Sequence, residues 1–243
     1  MSEVSRQLGT PRTGGILLIA DHSSNHVPDD IDLGIDAALL TNHIAIDIGV
    51  AEVAELLVES GAVDAAILGG VSRLVVDCNR EEEAPGVLPI ASDGHAVPGN
   101  ALDDAGREAR LERFFRPYHA HIAATIAAHR PAMILSLHSF TPSLASHPEQ
   151  VRPWHVGVLY NEDDRLAAAA IAALAAEGLN VGDQLPYSGK LLNATMNRHA
   201  EGNAIPYVGI EMRQDLVGDA ADQAQFAARL ARMCQKVALN IAG

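Results

Sequence analysis

Short runs rich in Val, Ile and Leu alternate with helical patterns along most of the chain, and this alternation constrains the fold more than any other feature. Six runs predict strands, at 15–25, 65–70, 71–80, 132–140, 155–161 and 207–216, and the second and third are close enough to form one strand. Four segments have helical spacing, at 47–61, 101–130, 162–178 and 219–242. Strands that alternate with helices need crossover connections, which favour parallel pairing. The sequence therefore predicts an α/β fold of the phosphorylase/hydrolase-like kind, with a mostly parallel or mixed central sheet flanked by helices.

The chain length of 243 residues is compatible with one hydrophobic core, since single cores grow to roughly 250 residues before chains divide. We therefore expect a single domain over 1–243, with 1–14 as a flexible N-terminus. Gly61 and Gly178 mark the ends of two helices, because glycine commonly follows the last helical residue. Pro117 predicts a kink, or two abutting helices, within 101–130.

The strand-like runs end in polar residues, and in parallel sheets ligands bind outside the carboxyl ends of the strands. Two long irregular segments, 80–100 and 178–206, are expected to wall the same cleft. A loop as long as 80–100 without regular structure usually serves as a lid or a binding loop.

Charge and cysteine content narrow the partners. The formal net charge of −14 disfavours nucleic acid and anionic membrane surfaces, and no apolar run is long enough to span a bilayer. The two cysteines, Cys78 and Cys234, show no metal or disulfide spacing, which indicates free thiols in a reducing compartment. These features predict a cytoplasmic protein that binds a small molecule, and the oligomeric state stays open.

His22 and His138 each end a predicted strand, where two imidazoles can bind one divalent metal. Two histidines and one carboxylate, with a fourth position left to water, form a typical catalytic zinc site. We predict Asp47 as the third ligand. The alternatives are Asn25 and Asp21, and Asp47 could instead cap the helix that follows it.

Glu211 directly follows the core of the last predicted strand, where its carboxylate could act as general base and then general acid. An ion pair with Arg213 or Arg80 is the structural alternative. His199, in a loop-rich segment, is predicted to stabilise the charge that develops on the substrate oxygen.

Arginines near the strand ends are candidates for binding a substrate carboxylate, because a guanidinium donates two parallel hydrogen bonds to a carboxylate. We predict Arg80 and Asn79 as the main anchor, with Arg73 and Arg213 as further substrate-binding residues. Pairing of Arg80 with the acidic run at 81–83 is the alternative.

A serine hydrolase is disfavoured although serines follow both strand-end histidines. The chain has no G-x-S-x-G turn, and adjacent residues of a strand point to opposite faces of the sheet. Phosphate-binding and dinucleotide-binding glycine motifs are also absent.

Several short motifs, in this order, resemble those of the N-formylglutamate amidohydrolase family: HSS, SRLVVDCNR, RPYH, LSLHSF, PYSG, the RH of NRHAEG, and GIEMRQDL. The resemblance extends from about residue 15 to 216. It implies a metal-dependent amide hydrolase with a zinc-carboxypeptidase-like fold that releases formate and glutamate from N-formylglutamate in histidine breakdown.

Carried over by position, the resemblance implies a metal held by His22 and His138, a carboxylate pocket at Asn79 and Arg80, and Glu211 as the base. Carboxypeptidase-like sites usually have a glutamate three residues after the first histidine, whereas Asn25 stands there in this chain. The third ligand must then come from elsewhere. A non-catalytic member that binds an acidic metabolite, and a small carboxypeptidase, are the alternative functions.

Overall fold

A seven-stranded mixed sheet forms the centre of the computed structural model, which describes residues 4–241. Its strands, in chain order, are β1 (Ser5–Gly9), β2 (Ile16–Ala20), β3 (Ala65–Gly69), β6 (Met133–Phe140), β7 (Val156–Leu159), β8 (Val181–Asp183) and β9 (Tyr207–Arg213). A separate small hairpin consists of β4 (Ala91–Ser92) and β5 (His95–Ala96). The spatial order of the sheet is β1-β3-β2-β6-β9-β7-β8. The prediction of an α/β domain with a mixed sheet and flanking helices is confirmed.

Strands β3, β2, β6 and β9 pair in parallel, whereas β1 and β7 pair antiparallel with β3 and β9. The four parallel strands are almost entirely buried, as expected for strands covered on both faces. Their carboxyl ends therefore meet at one edge, where polar side chains can cluster.

Six α-helices are found within the described residues: α1 (Val50–Glu59), α2 (Asp104–Arg110), α3 (Arg116–Ala128), α4 (Ala167–Ala176), α5 (Ala194–His199) and α6 (Ala220–Ile241). Helices α1, α4 and α6 bury one core against the sheet, and α3 belongs to a second core. A π-helical turn, Leu111–Phe115, separates α2 from α3, so the predicted interruption is confirmed just before Pro117. No helix of this part of the chain has the length and apolar character that crossing a membrane would need.

The strand prediction for 71–80 is wrong. After β3 the chain forms consecutive turns, in which the amides of Val75 and Val76 both donate to the carbonyl oxygen of Ser72. The Ser72 hydroxyl also donates to the Ala45 carbonyl oxygen at 2.8 Å. The apolar side chains of this segment are buried, but in the second core rather than in the sheet. The prediction failed because it relied on apolar composition, and buried apolar residues do not require an extended backbone.

The expected flexible N-terminus also needs correction. Residues 1–3 lie outside the described residues, but Ser5–Gly9 pair in full register with Ala65–Gly69 as the edge strand β1. The long segment 80–100 is ordered by short turns and the β4–β5 hairpin. Residue 242, the end of the predicted last helix, also lies outside the described residues.

Candidate active site

Three buried side chains meet at the carboxyl ends of the central strands. His22 follows β2, His138 lies in β6, and Asp47 precedes α1. One donor atom from each lies within 4.8 Å of the others. Asp47 Oδ2 is 2.9 Å from His138 Nδ1 and 3.3 Å from His22 Nδ1. The sequence prediction of these three residues as one cluster therefore agrees with their placement.

The second nitrogen of each histidine faces another carboxylate. His22 Nε2 lies 2.8 Å from Asp77 Oδ1, and His138 Nε2 lies 3.4 Å from Asp21 Oδ2. A carboxylate at Nε2 favours a proton there, which leaves the Nδ1 lone pair for a metal. Donors about 2.0 Å from a tetrahedral ion lie about 3.3 Å from one another, close to the spacing of Asp47 from the two rings. The residues present thus fit a divalent metal.

The electrostatics of the cluster also favour a cation. Burial acts to lower the pKa of His138, but Asp21, Asp47 and Glu211 outweigh it and raise that pKa well above its usual value. Burial acts to raise the pKa of Asp47, but the neighbouring histidines and Arg73 hold it below its usual value. Carboxylates that attract protons to the imidazoles would equally attract a metal ion, whose binding releases those protons.

Asp47 does not cap α1. The N-cap position is Gly49, with a φ of 79° and no side-chain hydrogen bond. The positive φ is one that glycine adopts readily. Asn25, the alternative ligand, is exposed.

Arg73 holds two acidic side chains in place, Asp47 of the cluster and Asp77 behind His22. Its two terminal nitrogens donate to Asp47 Oδ1 at 3.1 Å and to Asp77 Oδ2 at 2.9 Å. Arg73 lines the cavity, but both of its terminal nitrogens already donate to these carboxylates, and a substrate carboxylate would need the same nitrogens. We therefore interpret Arg73 as a support of the cluster, rather than the substrate-binding residue that the sequence predicted.

A cavity of about 280 Å³ opens beside the cluster. Seven of the nine sequence-predicted site residues line it: His22, Asp47, Arg73, Asn79, Arg80, His138 and Glu211. The walls also include His43, Ser92, Asp93, Phe140, Leu144, Ser146, Tyr187 and Leu192. The segments 80–100 and 178–206 both contribute side chains, as expected for walls of one cleft.

Glu211 is buried against the cluster in β9. The strand register places it beside His138 of β6. Its Oε2 atom is buried without a hydrogen-bond partner, and among the described residues it forms no ion pair with Arg80 or Arg213. Burial, supported by the charge of Asp47, raises the pKa of Glu211 to about 7 against the opposing effect of His138. Such a carboxyl group can both accept and donate a proton near neutral pH.

Arg80 and Asn79 also line the cavity. Arg80 Nε is 3.6 Å from Asp77 Oδ2, and its side chain, 35% exposed, makes no hydrogen bond within the described part of the chain. Asn79 Oδ1 accepts a hydrogen bond from the Thr195 amide at 3.1 Å, which orients its side chain in the cavity wall. The terminal nitrogens of Arg80 are thus available to a substrate anion, and the alternative, pairing with the acidic run at 81–83, is not found among the described residues.

His199 and Arg213 are not among the described residues that line the cavity. His199 Nε2 is 2.9 Å from His119 Nδ1, and burial lowers the pKa of His199 to about 4. Arg213 pairs with Asp215 and also donates to backbone carbonyl oxygens of 152–154. The structure therefore separates both residues from the roles that the sequence predicted for them.

Sequence reasoning missed Asp77 and the second role of Asp21. Asp77 lies within the DCNR motif, two residues before Asn79, so its place in a strand-end cluster was a usable signal. Asp21, which the sequence offered as an alternative ligand, directly precedes His22, but its Oδ2 atom lies 3.4 Å from His138 Nε2. Tyr187, in the PYSG motif, also lines the cavity.

A cavity at the carboxyl ends of a mixed sheet, with a buried carboxyl group of raised pKa beside three side chains that could hold a metal, is typical of a hydrolytic enzyme. The chain belongs to the N-formylglutamate amidohydrolase family, whose model matches residues 14–218. This membership confirms the resemblance found in the sequence and identifies a hydrolase that acts on an amide.

Solved structures share the fold. The gene product Atu2144 from Agrobacterium tumefaciens is 31% identical, with a TM-score of 0.92 over 100% of this chain and 97% of that one. An N-formylglutamate amidohydrolase from Ralstonia eutropha JMP134 is 17% identical, with a TM-score of 0.71 over 99% of both chains. Comparison with curated protein sequences gives no match.

Proposed function

We propose that this protein is a metal-dependent amidohydrolase that cleaves N-formylglutamate or a closely related N-acyl amino acid. The observation that carries the proposal is Glu211, a buried carboxyl group with one unpartnered oxygen and a pKa of about 7, set beside His22, Asp47 and His138. Family membership supplies the substrate class.

The metal would be held by Asp47 and by Nδ1 of His22 and His138, a mixed imidazole and carboxylate set that suits Zn²⁺. When bound there, a zinc ion supplies Lewis acidity that polarises the amide carbonyl and lowers the pKa of water to about 7. Asp77 and Asp21 would keep the two imidazole rings oriented through their Nε2 atoms.

Glu211 would carry the proton of the reaction. As ionised carboxylate it accepts a proton from the attacking water, whose oxygen forms a bond to the carbonyl carbon. It then donates that proton to the amide nitrogen as the carbon–nitrogen bond breaks, so that the amino acid leaves as the free amine and the acyl group as the carboxylic acid, which keeps the second proton of water. Transfer of that second proton to the amine in solution gives the carboxylate and the ammonium ion. Its pKa near 7 suits both halves of this cycle.

Arg80 and Asn79 would bind the substrate carboxylate. Arg80 has terminal nitrogens without hydrogen-bond partners among the described residues, and Asn79 is held in the same wall. A planar guanidinium binds a carboxylate through two parallel bonds, which fixes the amide relative to Glu211.

We also propose that the reaction belongs to histidine breakdown in the cytoplasm. Family membership supports the pathway, and two buried cysteines that stay unpaired are compatible with a reducing compartment.

The test is a panel of N-formyl and N-acetyl amino acids, including N-formylglutamate and N-formylglutamine, assayed for release of free amine. The protein is measured as purified, after chelation, and after addition of single divalent metals. We expect turnover of N-formylglutamate or a close relative that is lost on chelation and restored by zinc. Absence of turnover across the panel with every metal would refute the proposal.

Glu211→Gln provides the mechanistic arm of this test. It should lower kcat by about 10²–10⁴-fold and retain substrate binding, because it removes the proton carrier and keeps the shape of the site. Glu177→Gln, at a surface pair with Arg232, is the matched control and should leave turnover unchanged. Equal activity of the two variants would exclude Glu211 as the base.

A further inference from the structure

Arg152 is a buried arginine without an acidic partner. Its relative exposure is 9%, and no carboxylate of the described residues lies within 4 Å of its guanidinium. Buried charges in proteins are nearly always paired, because removal of an unpaired ion from water is costly. The position of this arginine therefore needs an explanation.

The side chain that Arg152 contacts is Tyr187. Its Nη1 atom donates to the Tyr187 hydroxyl oxygen at 2.8 Å and to the Thr141 carbonyl oxygen at 3.3 Å. The guanidinium carbon also lies 4.9 Å from the centre of the Tyr187 ring. Both Tyr187 and Thr141 line the cavity, so Arg152 lies directly behind the wall of the site.

The Tyr187 hydroxyl has an uncommitted proton. A tyrosine hydroxyl donates one hydrogen bond and accepts up to two. At Tyr187 the oxygen accepts from Arg152, and no described residue accepts the proton. The hydroxyls of Tyr160 and Tyr207, by contrast, donate to the carboxylates of Asp183 and Glu201. The proton of Tyr187 is therefore available to a ligand in the cavity.

The surroundings keep that proton on the oxygen and strengthen it as a donor. Burial and the charge of Glu211 raise the pKa of Tyr187 and outweigh the opposing effects of Arg152 and Arg73. The hydroxyl is consequently protonated at neutral pH. A hydrogen bond received from a cation polarises the O–H group, which then donates more strongly.

We propose that Tyr187 is a further catalytic residue, whose hydroxyl donates a hydrogen bond to the substrate carbonyl oxygen as that oxygen gains negative charge. Arg152 is its positioning residue, which fixes and polarises the hydroxyl from behind the cavity wall. This inference rests on the proposed function, since the charge arises when water adds to the amide carbonyl. No proton leaves Tyr187; Glu211 alone carries the proton from water to the leaving nitrogen. The role is the one that the sequence assigned to His199.

The test compares kcat and KM of the zinc-loaded enzyme for the best substrate of the panel. Tyr187→Phe keeps the ring and removes the hydroxyl, and Tyr160→Phe, which removes a hydroxyl outside the cavity, is the matched control. A donor aimed at developing charge typically contributes about 10²–10³-fold to kcat. We expect Tyr187→Phe to lower kcat by about 10²-fold with KM changed less than about threefold, and Tyr160→Phe to have no effect.

Arg152 is tested through Tyr187. Arg152→Met should lower kcat in the same direction, and Arg152→Lys, which retains a cationic donor, should restore part of the loss. In the Tyr187→Phe background the difference between Met and Lys at position 152 should disappear, because the hydroxyl through which Arg152 acts is gone. A merely structural role for Arg152 would leave that difference unchanged.

The outcomes separate this inference from the proposed function. The wild-type enzyme could turn over the substrate while kcat of Tyr187→Phe stays within twofold of wild type. That result would overturn the role of Tyr187 and leave the proposed function standing. A rise in KM at unchanged kcat would also overturn it, since the hydroxyl would then bind the ground state as strongly as the transition state. A wild-type protein without turnover on the panel would remove both.

Discussion

Asp77→Asn is the sharpest test of the proposed metal site, because it alters a buried carboxylate that contacts His22 without being one of the three proposed ligands. Asp77 Oδ1 is 2.8 Å from His22 Nε2, and Oδ2 accepts from Arg73 at 2.9 Å. Burial acts to raise the pKa of Asp77, but His22 and Arg73 hold it well below its usual value, so the side chain is charged at any assay pH near neutrality. The amide would therefore remove a full charge and place an N–H₂ group against Arg73.

The expected magnitude follows from those two contacts. A carboxylate behind a metal-binding imidazole contributes about 10–100-fold to metal affinity, which corresponds to about 1.4–2.7 kcal/mol. We expect the Kd for Zn²⁺ to rise by that factor in Asp77→Asn. The measurement is a titration in competition with a chromophoric chelator at fixed pH.

Folding must be checked in parallel, because breaking a buried ion pair costs about 3–5 kcal/mol and could unfold the variant. Circular dichroism and thermal unfolding of the metal-free protein serve this purpose. Asp215→Asn is the matched control, since Asp215 pairs with Arg213 at the surface and is 47% exposed. A folded Asp77→Asn protein whose Kd for zinc lies within twofold of wild type would refute the assignment of His22 as a ligand supported by Asp77.

Three further predictions concern stability. The folded-state pKa of His199 is about 4, below the usual 6.5, so the unfolded chain binds more protons between these values. The free energy of unfolding should then fall as the pH drops from 6.5 towards 4, with His199 contributing up to about 1.4 kcal/mol per pH unit. Denaturant titrations of His199→Gln should show a shallower dependence of this free energy on pH. The same pH dependence in variant and wild type would contradict the prediction. Gly49 and Gly61 both have positive φ, but an added Cβ would meet a carbonyl oxygen of the loop before α6 only at Gly49. Alanine should therefore cost about 1–2 kcal/mol at Gly61 and distinctly more at Gly49, and equal unfolding free energies would exclude the clash. Asp93 accepts hydrogen bonds from two backbone amides and one hydroxyl of the segment 141–151. Asp93→Ala should therefore speed limited proteolysis of this segment by about tenfold. An unchanged cleavage rate would show that other contacts hold the segment.

The local pattern of apolar residues was sufficient to predict strands and helices where the backbone conformation matches the spacing of those residues. Strands β2, β6 and β9 are each marked by buried aliphatic runs, and α1 ends at Glu59, with Ser60 as its C-cap just before Gly61, as its pattern predicts. The segment 71–80 shows the limit of this reasoning. Its valines and leucine are as buried as those of a strand, but the backbone forms turns instead. The Ser72 hydroxyl accepts a hydrogen bond from the Leu74 amide and donates one to the distant Ala45 carbonyl oxygen.

The sequence alone determined the class of fold, the family, and the residues that strand ends deliver to one edge of the sheet. All three depend on the local spacing of apolar residues and on short motifs, which can be read from neighbouring residues without knowing the contacts between distant ones. His22, His138 and Glu211 could be found in this way because parallel strands end side by side.

Only the tertiary structure decided which polar groups face each other. Asp47 is assigned to the metal cluster rather than to a helix cap because the fold brings it to both imidazoles across 25 and 91 residues. His199 lies beside another histidine, and the Tyr187 hydroxyl oxygen accepts a hydrogen bond from Arg152. Such pairings depend on distances between residues far apart in the chain, and residue type and spacing do not encode those distances.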